Sequence, residues 1–124
     1  MSAQAVQLLE PELDRLQDLW ADGLGDTYHS YLATVDEPRL ALAAALIEVG
    51  IRLQGLGGEA AAPTTLLMGD LCLARGSRLL ADHAPLPVQV AFARSIELLS
   101  AKAAAEEPAP PARQLLQESL RATR

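Results

Sequence analysis

The stretch Leu40–Ile51, LALAAALIEVGI, carries one charged side chain, Glu48, in an otherwise apolar run. Alanine and leucine lose little side-chain freedom in a helix, so the run is a strong helix former. It falls short of the roughly 20 residues a membrane span needs and therefore reads as a buried helix. Because it is apolar around most of its circumference, it needs neighbours on more than one side. Leu40, Ala43, Ile47, Gly50 and Leu53 share one face, with Leu42 and Leu46 on the flank. Asp36 or Glu37 before Pro38 marks the start, since proline is tolerated in a first helical turn. The helix is predicted to reach about Leu56, in the breaker cluster Gly55-Leu56-Gly57-Gly58. Glu48 and Arg52 stand in the favourable i,i+4 order.

Other helices must supply the cover. Leu9, Leu13, Leu16 and Trp20 recur at three- and four-residue steps, predicting an amphipathic first helix that ends at Gly23/Gly25. A short helix is expected over Tyr28–Val35, capped by Asp26 or Thr27. Pro63 opens a further helix to about Asp82, in which Leu66, Leu73 and Leu80 lie seven apart, as do Gly69 and Gly76. One stripe carries bulk and the other permits close backbone approach. After Pro85 and Pro87, Val88, Ala91 or Phe92, Ser95 and Leu98 or Leu99 predict another helix ending near Lys102. The chain divides into a helical domain over 1–105, a Pro-rich linker over 106–112 and a C-terminal segment over 113–124. In that last segment Leu115, Leu116 and Leu120 form a helical stripe too short to be stable alone, so it frays or docks. With no β-hairpin signal, the expected class is all-α, a compact bundle of about five to six helices.

At 124 residues a single core is the ceiling. The net charge of −6 gives no basic surface for nucleic acid or an anionic membrane. Cys72 is the single cysteine, which excludes an intrachain disulfide. The N-terminal residues do not read as a secretory signal, and a cytoplasmic location is expected.

Chemistry-bearing residues are sparse. His29, His83 and Cys72 show no metal-ligand spacing, so no metal site is expected. His83, at a predicted helix C-terminus, suits the helix dipole, and Cys72 suits a core. The glycines at 55–58 lack the preceding strand and following Lys-Ser/Thr of a phosphate loop. Asp70, within the apolar run Thr65–Ala74, must face water or find a hydrogen-bond partner.

The segment Leu66–Asp82, LLMGDLCLARGSRLLAD, resembles the helix of trans-prenyl diphosphate synthases that begins with Gly-Asp and continues Leu-x-x-Ala. Gly69-Asp70 and Leu73-Ala74 fall on that pattern. Upstream, the Ala-rich run through Glu48 resembles the preceding family helix, which leads through Glu and His to an Asp-Asp-x-x-Asp metal site. Counted from Glu48, Ile51 stands at the His, and Gly58, Glu59 and Ala62 stand at the three aspartates. The family's Gly-Lys-Arg motif and second aspartate-rich motif have no counterpart. The resemblance thus implies part of the isoprenoid synthase fold with its Mg²⁺ ladder removed, since Mg²⁺ demands several oxygen ligands.

Such a chain is similar to the small, non-catalytic subunit of heteromeric hexaprenyl- or heptaprenyl-type synthases. The resemblance implies no activity alone, no catalytic residue and no cofactor on this chain. Mg²⁺ is expected on a catalytic prenyl diphosphate synthase partner, whose product feeds a quinone side chain. Glu48, Gly69 and Asp70 are the motif remnants. Leu66, Leu73, Ala74, Gly76 and Leu80 are candidates for the interface or for facing the growing chain. The alternative is a homodimeric helical interaction module that self-associates without such a partner.

Overall fold

The computed structural model describes residues 17–54 and 63–122. Among them every regular element is helical and no strand occurs: a π-helical turn at Trp20–Leu24, then α1 (Gly25–Val35), α2 (Pro38–Leu53), α3 (Pro63–His83), α4 (Leu86–Ala104) and α5 (Ala112–Leu120). The all-α class expected from the sequence is what the chain adopts.

Helix α2 is the central element. Ala41 and every residue from Ala43 to Ile51 are buried, so the helix is enclosed on nearly all sides. Its start follows from two side chains. Pro38 occupies the first turn, where its missing N–H is not needed. Glu37 is the cap, its carboxylate accepting from the backbone N–H of Arg39 and Leu40. The expected end near Leu56 is shortened to Leu53, with Gln54 as the C-cap.

The glycine stripe of α3 sets how closely the helix packs on α2. Gly69 and Gly76 are buried together with Cys72 and Leu80. A Cβ on Gly76 would lie 2.9 Å from the Ala43 carbonyl oxygen and 2.7 Å from Ile47 Cγ1. On α2, a Cβ on Gly50 would lie 2.7 Å from Leu73 Cγ and 3.0 Å from the Gly69 carbonyl. The two backbones therefore approach more closely than any side chain at these positions permits.

Around this pair, α1 contributes Tyr31 and α4 contributes Val88, Phe92 and Leu99 to the core. The first helix ends at the Gly23/Gly25 position, as expected, in a kink rather than a loop. Gly23 leaves the helical conformation, at φ 130°, and the π turn that joins the two helical segments across this kink is closed by Gly25 N–H to the Trp20 carbonyl. A glycine there takes a positive φ that a side chain would resist. Thr27 Oγ1 donates to the Gly23 carbonyl and secures the kink. Helix α1 then runs directly on, without a side-chain cap from Asp26 or Thr27. The apolar positions Leu9, Leu13 and Leu16 lie outside the described residues.

The C-terminal segment docks. Leu116 and Leu120 are buried, and α5 packs against α4, α2 and α1 after the Ala105–Pro111 connection. The division proposed at residue 105 therefore separates elements that share one core.

Candidate functional site

Glu48 sits on α2, five residues before its end at Leu53, with its side chain 9% exposed. An isolated carboxylate there would be costly, so its partners decide its role. Tyr31 of α1 donates its hydroxyl to Oε1 at 2.7 Å. Arg113 of α5 binds in a fork, Nε to Oε1 at 3.0 Å and Nη2 to Oε2 at 3.0 Å. Arg52, one turn further along α2, donates Nη2 to Oε2 at 3.1 Å. Each oxygen accepts two hydrogen bonds, which fills the four acceptor sites of a carboxylate.

The electrostatics follow from this geometry. Burial alone pushes the Glu48 carboxyl up, but Arg113, Tyr31 and Arg52 outweigh it and hold its pKa below the ordinary carboxylate value. Burial raises the Tyr31 phenol far above its usual range, and the hydrogen bond to Glu48 adds to the effect. The Glu48 hydrogen bond raises the Arg113 guanidinium. A carboxylate so saturated has no lone pair left for a metal ion or a substrate proton. Chemically it is a clamp that joins α1, α2 and α5.

The two acidic residues Glu48 and Asp70 belong to separate networks. Asp70 is exposed on α3 and accepts from Gln54 Nε2 at 2.7 Å, while the same amide donates to the Leu66 carbonyl at 3.0 Å. Gly69, its neighbour, packs beneath Gln54. Glu48 and Asp70 share no hydrogen-bond partner and form no common site. Ile51 is buried, whereas Gly58, Glu59 and Ala62 lie outside the described residues. Among the described residues, no three His, Cys, Asp or Glu side chains gather where a metal could be held.

The candidate interface or chain-facing residues differ in exposure. Leu80 and Gly76 are buried inside the chain, Leu66 and Leu73 are half-buried, and only Ala74 is exposed. The reason is the glycine stripe: it rotates α3 so that Gly76 and Leu80 face α2 and α4. Exposed apolar bulk lies elsewhere, at Leu67 of α3 and at Leu86, Val90 and Leu98 of α4. Where α3 and α4 diverge, a cleft of about 210 Å³ opens over Ile47, lined by Ser77, Leu80, Gln89, Phe92 and Ile96.

The remaining reactive residues have local roles. Cys72 is fully buried, and burial pushes its thiol up to about 11, which removes it as a nucleophile. His29 Nδ1 donates to the Gly25 carbonyl, and its ring stands edge-on to Tyr28 beside Trp20. His83 closes α3, as expected, and there accepts a hydrogen bond from Arg39 at 3.2 Å. No described helix is long and apolar enough to cross a membrane. Sequence reasoning paired Glu48 with Arg52 but missed Tyr31 and Arg113. The latter lies 65 residues from Glu48, and no local spacing rule reaches that far.

The chain has no significant match among protein-family models, curated proteins or solved structures.

Proposed function

We propose that this chain is a non-catalytic accessory subunit that pairs with a catalytic prenyl diphosphate synthase and supports its activity and product length. The reading rests on the resemblance of the α2 and α3 segments to consecutive helices of that family. The observation that carries it is the fate of Glu48. The retained acidic residue of that register is spent on Tyr31, Arg52 and Arg113, while α2 and α3 still pack as a tight pair through Gly50, Gly69 and Gly76. A scaffold kept with its acid sequestered suits a subunit that lends surface rather than chemistry.

In this reading Mg²⁺ and the allylic diphosphate reside on the partner, in the cytoplasm, and the product serves quinone side-chain synthesis. The exposed apolar residues of α3 and α4, Leu67, Leu86, Val90 and Leu98, are the surface offered to that partner, replacing the buried Gly76 and Leu80 in that role. The net charge of −6 keeps nucleic acid out of the account.

The test is co-expression with the full-length trans-prenyl diphosphate synthase of the same organism, followed by size-exclusion chromatography with light scattering. Co-elution as a defined heteromer is expected, and Leu86→Glu with Val90→Glu should abolish it while leaving the helical content intact. A chain that elutes as a homodimer and ignores the synthase would instead favour a self-associating module.

A further inference from the structure

We infer that α5 is an exchangeable element: two copies of this chain can pair by each seating its C-terminal helix in the other's groove. This goes beyond the accessory-subunit reading and does not depend on it. The seat is a surface whose occupant the structure already displays. Arg113 is gripped by Glu48, Gln117 Nε2 donates to Thr34 Oγ1 at 3.3 Å, Ser95 and Ser119 hydrogen-bond at 2.9 Å, and Leu116 and Leu120 are buried. The same contacts are available to an identical helix from a second copy.

Two features favour exchange over simple opening or permanent closure. An empty seat would leave the Glu48 carboxylate without its fork and uncover the apolar surface beneath Leu116 and Leu120, so a helix that leaves has to be replaced. The closed connection is also strained. Helix α4 ends with Glu107 N–H on the Lys102 carbonyl and Glu106 N–H on the Ala103 carbonyl, a cap that calls for glycine at its left-handed position. Here that position is Glu106, at φ 56°. Opening the turn relieves that conformation. The rest of the linker holds Pro108, Pro110 and Pro111, which disfavour helix and favour an extended path. Seven extended residues span about 22 Å, twice the diameter of a helix.

The Glu48–Arg113 pair makes the exchange testable by charge swapping. In Glu48→Arg alone or Arg113→Glu alone, every seat, in cis or in trans, juxtaposes like charges. When the two variants are unfolded, mixed and refolded together, a swapped heterodimer restores one Arg–Glu pair in each seat. Light scattering should then report a dimer in the mixture and not in either variant alone. A second test keeps the charges. Ser95→Cys with Ser119→Cys, oxidised over a range of concentrations, should give a covalent dimer on a non-reducing denaturing gel, in a fraction that rises with concentration. Neither Ser95→Cys alone nor Ser119→Cys alone, each beside the buried Cys72, should do so to the same extent. Adding Glu106→Gly, which suits the closed turn, should lower the dimerisation constant by about 5-fold per hinge, and the dimer fraction with it. The inference is overturned if the double-cysteine protein links only within single chains at every concentration and the charge-swapped mixture remains monomeric.

Discussion

Replacing Gly76 by alanine is the sharpest test of the α2–α3 packing, because two opposing terms can be read from the structure. An exposed Gly→Ala change in a helix stabilises by about 1 kcal/mol. At Gly76 the new Cβ would meet the Ala43 carbonyl oxygen at 2.9 Å and Ile47 N at 3.2 Å, both backbone atoms that cannot swing away. Relief requires the two helices to part by a few tenths of an ångström along a fully buried seam, and overpacking of this kind costs about 1–3 kcal/mol. Dispersion contacts along the seam weaken in the same movement. The net expectation is a loss of up to about 2 kcal/mol once the propensity gain is counted. Gly69→Ala is the matched control. Its nearest neighbours are the Gln54 side-chain Nε2 at 2.9 Å and Cγ at 3.2 Å, and the Gly50 carbonyl lies at 3.2 Å. A flexible side chain absorbs most of that clash, so the change should be within about 0.5 kcal/mol of neutral. Urea unfolding of the two variants, followed by helical circular dichroism, measures the difference. If Gly76→Ala is as stable as the parent, or Gly69→Ala is the more damaging, the close approach inferred between α2 and α3 is wrong.

Three further outcomes follow from the Glu48 clamp and the α2 cap. Arg113→Ala removes a bidentate grip on a buried carboxylate; with Arg113 itself 44% exposed and screened, the loss should be about 1–2 kcal/mol, against under about 0.5 kcal/mol for Arg52→Ala, which is 58% exposed. Hydrogen exchange should show the Arg113 effect mainly in α5 amides. Because the Glu48 pKa is lowered on folding, its contribution is present above the unfolded value of about 4.3 and is lost as pH falls through the folded value. Glu48→Gln should therefore lie furthest below the parent in stability near neutral pH and converge with it in acid, as read by denaturation across pH. Glu37→Ala removes the carboxylate that accepts from Arg39 and Leu40 N–H and should lower the melting temperature through a loss of about 1 kcal/mol.

The elements that were legible in the sequence are those with local punctuation. Pro38 and Pro63 open α2 and α3, and the apolar run of α2, broken only by Glu48, announced its burial. The seven-residue spacing of Gly69 and Gly76 signalled close packing, but spacing alone did not say which backbone the glycines approach. That choice depends on the complementary Gly50, which lies on another helix. The stop expected at Gly23/Gly25 falls where Gly23 leaves the helical region, at φ 130°; that the next helix follows at once through a π turn has no comparable local signal. The candidate site was half legible. Glu48 stood out as the single charge in its run, and its i,i+4 partner was countable. Tyr31 and Arg113 reach it only through the tertiary packing of α1 and α5, and a nine-residue helix gives no sequence sign of where it docks.

The central claim, that this chain lends helical surface to a catalytic prenyl synthase, is tested most directly by product analysis. The synthase of the same organism is assayed with allylic and isopentenyl diphosphates and Mg²⁺, with and without this chain, and the chain is assayed alone. The account predicts no turnover by the chain alone and a higher rate or a shifted prenyl product length when it is added. Unchanged rate and product length at saturating chain, or Mg²⁺-dependent prenyl transfer by the isolated chain, would contradict it.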